Sequence, residues 1–239
     1  MRNVVVSGAS RGLGLAIAQA LVGAGFRVVA LARNESAAFS AEAAGDGLRF
    51  WRCDLAEIER IGETVRAIRH EFGPLWGLVN NAGIGTSGLL AAMRLAEIEK
   101  TLQLNALAPI VLTRHVLRAM MADGSGGRIV NIASIVADTG FSGLSVYAAS
   151  KAALVGFTRS LAREAGPLGI TVNAVAPGFV DTAMTDGMEG ARRDQVVRRS
   201  PLKRLAEPED VAAGVAFLMS EAARNVTGTV LTIDAGSTA

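Results

Sequence analysis

The sequence predicts an α/β fold: a single-domain, doubly wound parallel sheet of about seven strands with helices on both faces. Three observations predict it. Short runs of Val, Ile and Leu recur along the chain without apolar–polar alternation, as expected for strands buried on both faces. Segments with apolar residues at three- and four-residue spacing separate them. The first run leads straight into a glycine-rich turn and then into a helical pattern.

The strand-like runs are residues 3–7 (N-V-V-V-S), 26–32, 48–52, 75–79, 128–133, 170–174 and 230–233. After the first, Leu13, Ile17, Ala20, Leu21 and Ala24 share one helix face, and Gly23 and Gly25 punctuate its end. Further helices are predicted over 57–71, 95–122, 146–165 and 208–220, the last with Pro208 near its first turn. No linker, low-complexity tract or short repeat breaks the alternation, so residues 1–239 read as one domain.

Composition narrows the function. Half of the residues are hydrophobic and 19% are charged, which excludes a disordered chain. A net charge of +2, from 24 Lys and Arg against 22 Asp and Glu, gives no footprint for nucleic acid. One local basic cluster stands out: Arg192, Arg193, Arg198, Arg199, Lys203 and Arg204. The single cysteine, Cys53, excludes an intramolecular disulfide and a cysteine-rich metal site, and no metal is expected. No stretch approaches a membrane span or the apolar core of a leader, so a soluble cytoplasmic protein is expected.

The glycine turn is S-G-A-S-R-G-L-G, residues 7–14. Gly8, Gly12 and Gly14 permit a tight turn and close approach of a pyrophosphate, and the following helix offers free N–H groups to the anion. The same residues contain G-x-S-x-G, the nucleophile elbow of serine hydrolases, with Asp54 and His70 or His115 in a workable chain order. Position argues against that alternative. An elbow follows several strands, one of whose loops completes the oxyanion hole, and here only one strand precedes it.

A second constellation lies in V-Y-A-A-S-K, residues 146–151, which holds the only tyrosine of the chain. On a helix Tyr147 and Lys151 lie one turn apart on one face. A cation beside a phenol favours the phenolate, as does a helix N-terminus. Bringing a tyrosine to neutrality takes about 3 pKa units, or about 4 kcal/mol.

Together these motifs make the chain resemble the short-chain dehydrogenase/reductase family, most closely its 3-oxoacyl-acyl-carrier-protein reductases. The glycine turn, C-D-L at 53–55, N-N-A-G at 80–83, Asn105 in L-Q-L-N-A, Ser134 in N-I-A-S, Y-A-A-S-K and P-G-F-V-D-T at 177–182 follow in family order over nearly the whole length. The resemblance implies a Rossmann-type fold and a carbonyl reductase. In it Tyr147 is the general acid, Ser134 holds the carbonyl oxygen, and Lys151 binds the nicotinamide ribose and lowers the tyrosine pKa. Asn105 would anchor a water that relays protons from Lys151.

For the cofactor the resemblance implies Gly8, Ser10, Arg11, Gly12, Leu13 and Gly14 of the turn, and Tyr147 and Lys151 at the ribose. Asp54 would bind the adenine amino group beside Leu55, while Asn81, Ala82 and Gly83 line the adenosine side. Pro177, Gly178, Val180 and Thr182 would wrap the nicotinamide. Where NAD-selective members carry an acid after the second strand, this chain has Ala32 and then Arg33. Arg33 and Arg11 would pair with a 2′-phosphate, so NADP(H) is expected.

Residues 183–206 are read as a lid over the substrate. Met184, Met188 and Phe179, with Ile135, Val136 and Phe141 opposite, would form an apolar pocket, and Ser134 and Tyr147 would touch the reacting carbonyl. The expected substrate is a 3-oxoacyl thioester of a carrier protein or coenzyme A; a small free ketone, aldehyde, alcohol or sugar is the alternative. Many carrier-protein reductases have basic residues just before the fifth and sixth strands, where this chain has Ser125-Gly126 and Leu168. The basic cluster falls instead in the lid. The resemblance also implies a homotetramer, built through the two long helices and the last helix and strand.

Overall fold

The structure is a computed structural model that describes residues 1–42, 47–180 and 191–239. Its elements run β1 (Asn3–Ser7), α1 (Gly12–Gly23), β2 (Arg27–Ala32), α2 (Ala37–Glu42), β3 (Leu48–Arg52), α3 (Ile61–Phe72), β4 (Leu75–Asn80), α4 (Leu95–Leu102), α5 (Ala108–Asp123), β5 (Gly127–Ile132), α6 (Ser145–Ala165), β6 (Ile170–Pro177), α7 (Ala191–Arg199), α8 (Pro208–Met219) and β7 (Val230–Ile233). All seven strands pair in parallel, in the order β3-β2-β1-β4-β5-β6-β7.

The uninterrupted Val runs become strands with two buried faces, as burial on both sides requires. Alternate residues supply two cores. Val4, Val6, Val28, Ala30, Val130 and Ile132 pack against α1 and α8. Val5, Val29, Leu31, Leu78 and Ile129 pack against α3, α5 and α6 on the other face. Sequential crossovers reverse between β1 and β4, so the loops after those two strands part and leave a crevice at the carboxyl edge.

Two expectations need correction. The helix expected over 95–122 is two helices joined by a π turn, Gln103–Leu107, in which the Ala108 N–H reaches the Gln103 carbonyl five residues back. Period counting does not see such an insertion, because the apolar face continues through it. Helix α2 was not expected at all; it is six residues long, too short for a period to show. Of the segment read as a lid, residues 183–190 lie outside the described residues; helix α7 follows, Ser200 Oγ donates to the Ala235 carbonyl at 2.7 Å, and Ala206 pairs with Val180. Among the described residues no helix is long and apolar enough to cross a membrane.

Candidate active site

The glycine turn joins the carboxyl end of β1 to α1. Gly8 has φ +67°, a conformation that side chains disfavour, and its N–H bonds the Leu31 carbonyl of β2 at 2.7 Å. A Cβ on Gly14 would lie 2.2 Å from the Gly8 carbonyl oxygen, so the first turn of α1 can sit against the loop only as glycine. Around Gly12 the space is open on the same measure. Arg11 stands exposed at the start of α1. Ser10 accepts from the Ser36 hydroxyl through its carbonyl, and Leu13 packs its side chain against the core.

Across the crevice, Asn80 ends β4 and the loop Asn81-Ala82-Gly83 follows. Asn81 stands at the turn, but its amide donates to the Ser7 and Gly8 carbonyls at 3.0 and 3.2 Å. Its side chain therefore braces the glycine turn. Ser7, unremarked in the sequence, does the complementary work: its hydroxyl accepts the Asn81 and Ala82 N–H groups, each at 3.0 Å. A buried serine ending β1 beside the switch point was the available signal.

At the outer strands, Arg33 follows β2 and lines a cleft of about 650 Å3 with Arg52, Cys53, Asp54 and Arg60. Arg52 is opposite Ala32 in the β2–β3 register and was not anticipated. Asp54 accepts the Ala56 N–H at 3.0 Å, a turn-forming bond that leaves one carboxylate oxygen for other use. Leu55 is buried in the core, so only its backbone is available to a ligand.

The catalytic candidates meet at the carboxyl ends of β4 and β5. Ser134 caps the short turn Ile135–Ala137 and receives the Val136 N–H at 3.4 Å. Tyr147 lies in the first turn of α6, its phenol near enough to Ser134 for the serine hydroxyl to pull its pKa down. Lys151, 4% exposed, donates to the Ile132 carbonyl at 2.8 Å, and its Nζ is 5.8 Å from the centre of the Tyr147 ring. Asn105, fully buried in the π turn, accepts from Ile84 N at 2.8 Å and donates to the Ile84 carbonyl at 2.9 Å and Ser150 Oγ at 3.2 Å. Ser150 in turn donates to the Tyr147 carbonyl at 2.7 Å. Ser150 was overlooked, although it stands inside the V-Y-A-A-S-K stretch. Gly83 completes the group, its Cβ position lying 3.2 Å from Asn105 Oδ1 and 3.5 Å from Lys151 Nζ.

Burial pushes the Tyr147 phenol up, and the Ser134 hydroxyl pulls it down. Burial also lowers the Lys151 ammonium to about 8. The lysine is turned to the Ile132 carbonyl, and burial disfavours the charged form of either group. A phenol that keeps its proton is suited to donating it.

On the far wall, Phe141 and Phe179 meet edge to face with centroids 5.9 Å apart, joining the loop after Ser134 to the turn after β6. Ile135 and Val136 are nearly buried and form the back of that wall. Pro177 ends β6, the Gly178 N–H bonds the Ile233 carbonyl at 2.9 Å, and Val180 is buried. Thr182, Met184 and Met188 lie outside the described residues.

The serine-hydrolase alternative is not assembled. Ser10 lies in the turn before α1, a helix of the α1/α8 core, whereas His115 lies against Gly62 between α3 and α5 on the other face. His70 ends α3 at the amino edge of the parallel sheet. Arg114, Arg118 and Arg66 together with burial push the His115 imidazole down, and none of these causes is an orienting carboxylate.

A parallel sheet with a glycine turn at its switch point, facing a Ser–Tyr–Lys group, defines a nicotinamide-dependent oxidoreductase acting on carbonyl or CH–OH groups. The comparisons agree. A family model described as enoyl-(acyl carrier protein) reductase matches residues 8–238. The chain belongs to this family, within the short-chain dehydrogenases/reductases. It is 40% identical over 233 residues to the 3-oxoacyl-(acyl-carrier-protein) reductase FabG of Vibrio cholerae, covering 97% of this chain and 95% of that one. It is 41% identical over 236 residues to FabG of Escherichia coli, with 97% and 95% covered. Carbonyl reductase family member 4 of Xenopus tropicalis is 38% identical over 231 residues, again covering 97% and 95%. A crystal structure of a putative gluconate dehydrogenase from Agrobacterium tumefaciens superposes with TM-score 0.92 at 26% identity, over 99% of this chain and 95% of that one.

Proposed function

We propose that this chain is a cytoplasmic, NADP(H)-dependent 3-oxoacyl thioester reductase. The observation that carries the substrate class is the 40–42% identity, over 97% of the chain, to 3-oxoacyl reductases of several bacteria. Two exposed guanidiniums, Arg11 and Arg33, and the absence of a carboxylate at Ala32 support the phosphorylated cofactor. Arg52, in the same cleft as Arg33, adds a third cation.

The residues present fit such a cofactor: the space around Gly12 at the helix N-terminus is open, and Gly14 lets α1 start close against the turn. Gly8, Ser10, Arg11, Gly12, Leu13 and Gly14 would hold the pyrophosphate, and Arg33, Asp54, Leu55, Ala82 and Gly83 the adenosine half. Lys151, Pro177, Gly178, Val180 and Thr182 would hold the nicotinamide half. When bound, the nicotinamide supplies the hydride.

This chain's own residues handle the proton and the oxygen. Ser134 and Tyr147 present two hydroxyls to the carbonyl oxygen, so negative charge developing there meets two donors. Tyr147 gives its proton to that oxygen as general acid. Lys151 replenishes it. Asn105 straps the Ile84 loop to Ser150 and so holds both walls of the lysine pocket, on the route by which protons reach Lys151 from solvent. Phe141, Phe179 and Ile135, with Met184 and Met188, would line the acyl side. A homotetramer is in keeping with the apolar side chains left exposed on the long helices and α8, among them Leu95, Leu102, Met121 and Phe217.

An NADPH-consumption screen over 3-oxoacyl thioesters, 2-enoyl thioesters, simple ketones and sugars tests the reading. Turnover of 3-oxoacyl thioesters well above the rest is expected; turnover confined to enoyl thioesters or free ketones would replace it. Arg33→Asp is expected to remove the preference for NADPH over NADH. An unchanged preference would remove the charge argument.

A further inference from the structure

The basic cluster has no part in the chemistry above, yet it sits beside it. Arg198 and Arg199 end α7, and Lys203 and Arg204 follow in the next turn. All four are exposed, and among the described residues none is held in an ion pair. Lys203 Nζ donates to the Arg198 carbonyl at 2.8 Å, which folds the turn back so that its cations join those of the helix end. Between them Leu202 is 61% exposed. An exposed leucine within four residues of four exposed cations supplies the apolar and the charged parts that a docking patch combines.

Its place is fixed by backbone contacts. Ser200 Oγ and Leu202 N both bond the Ala235 carbonyl, at 2.7 and 3.3 Å, just beyond β7. Ala206 pairs with Val180, one residue after the Phe179 that packs on Phe141. The patch thus stands at the carboxyl edge of β6 and β7, the edge that carries Tyr147. By contrast Ser125-Gly126 and Leu168 precede β5 and β6 at the opposite edge and carry no charge.

We propose that Arg198, Arg199, Lys203 and Arg204, around Leu202, form the docking surface for an acidic acyl carrier protein that presents its thioester to Tyr147. The proposal rests on the 3-oxoacyl thioester reading. Cations spread over an arginine pair, a helix end and a turn match an acidic helix better than the compact phosphates of coenzyme A. Docking here brings the carrier to the rim of the catalytic crevice of the same subunit.

The test compares one 3-oxoacyl group on three carriers: acyl carrier protein, coenzyme A and N-acetylcysteamine. In the double variant Arg199→Glu/Arg204→Glu, kcat/KM for the carrier-protein substrate is expected to fall at least tenfold, through KM. The N-acetylcysteamine substrate should be unaffected, which also shows that the variant is folded. Leu202→Ala should raise the same KM without changing its salt dependence, and Arg118→Glu, on α5, should leave it alone. An equal loss with N-acetylcysteamine, a loss as large with coenzyme A, an equal loss in Arg118→Glu, or no loss would each overturn the docking surface. So would a changed oligomeric state in the double variant, which would assign the patch to contacts between copies. Failure of the wild type on all three thioesters would instead overturn the reading beneath it.

Discussion

The two edges of the sheet are built from similar residues to opposite ends. At the amino edge Arg2 and Arg128 lie over the Trp76 ring, with guanidinium carbons 4.3 and 5.3 Å from its centre, and Phe26 stacks on the same ring at 5.4 Å. Glu221 pairs with Arg2 at 2.6 Å and approaches Arg128 at 3.7 Å. Charge and aromatic area are spent there on packing around Trp76 at the start of β4. At the carboxyl edge the buried lysine donates to one carbonyl and, among the described residues, has no carboxylate partner, while a serine hydroxyl pulls down the phenol of the single tyrosine. A charge held without a counter-ion is destabilising, and it persists where chemistry needs it. Stability and reactivity are thus separated by the length of a strand.

That separation can be broken experimentally. The largest effect is expected for Tyr147→Phe, which should lower kcat by about a hundred- to ten-thousand-fold. Cofactor binding, followed by NADPH fluorescence, and the melting temperature should barely change. Loss of cofactor binding with activity would show that the phenol is structural. Next, Trp76→Ala should cost about 3–5 kcal/mol in denaturant unfolding, from lost burial and the opened cavity. Its kcat, measured while folded, should stay near the wild-type value; a matching fall would mean the edges are coupled.

Lys151→Met sharpens the comparison through pH. The folded-state lysine titrates near 8 against 10.5 unexposed to burial, so between those values the folded protein holds fewer protons than the unfolded one. Wild-type stability should therefore rise with pH across that window relative to Lys151→Met, and the difference should be flat below pH 7. A difference that falls with rising pH would contradict the buried, unpaired ammonium. The smallest effect is expected for Arg2→Ala, whose ion pair and ring contact are half-exposed and worth about 1 kcal/mol or less. A larger loss would make the exposed arginine, rather than Trp76, the keystone of the amino edge.

Legibility in the sequence followed the range of the interaction. Seven strands, the glycine turn, and the order Asn105, Ser134, Tyr147, Lys151 were all readable, because each leaves a local pattern of spacing or residue type. The break at Asn105 was not, because the apolar stripe runs on through the π turn. Ser7 and Ser150 escaped for another reason: a serine's role depends on which loop folds against it.

By itself, then, the sequence determined the alternation of strand and helix, the face each Val run presents, and the residue types that meet a carbonyl and a nucleotide. Those follow from backbone period and from side-chain chemistry. Only the tertiary structure decided that Asn81 braces Gly8, that Lys151 faces the Ile132 carbonyl, and that the exposed cations of 198–204 stand at the catalytic rim. Burial and hydrogen-bond partners are set by residues far apart in the chain, and a pKa or an exposed charge has no value until they meet.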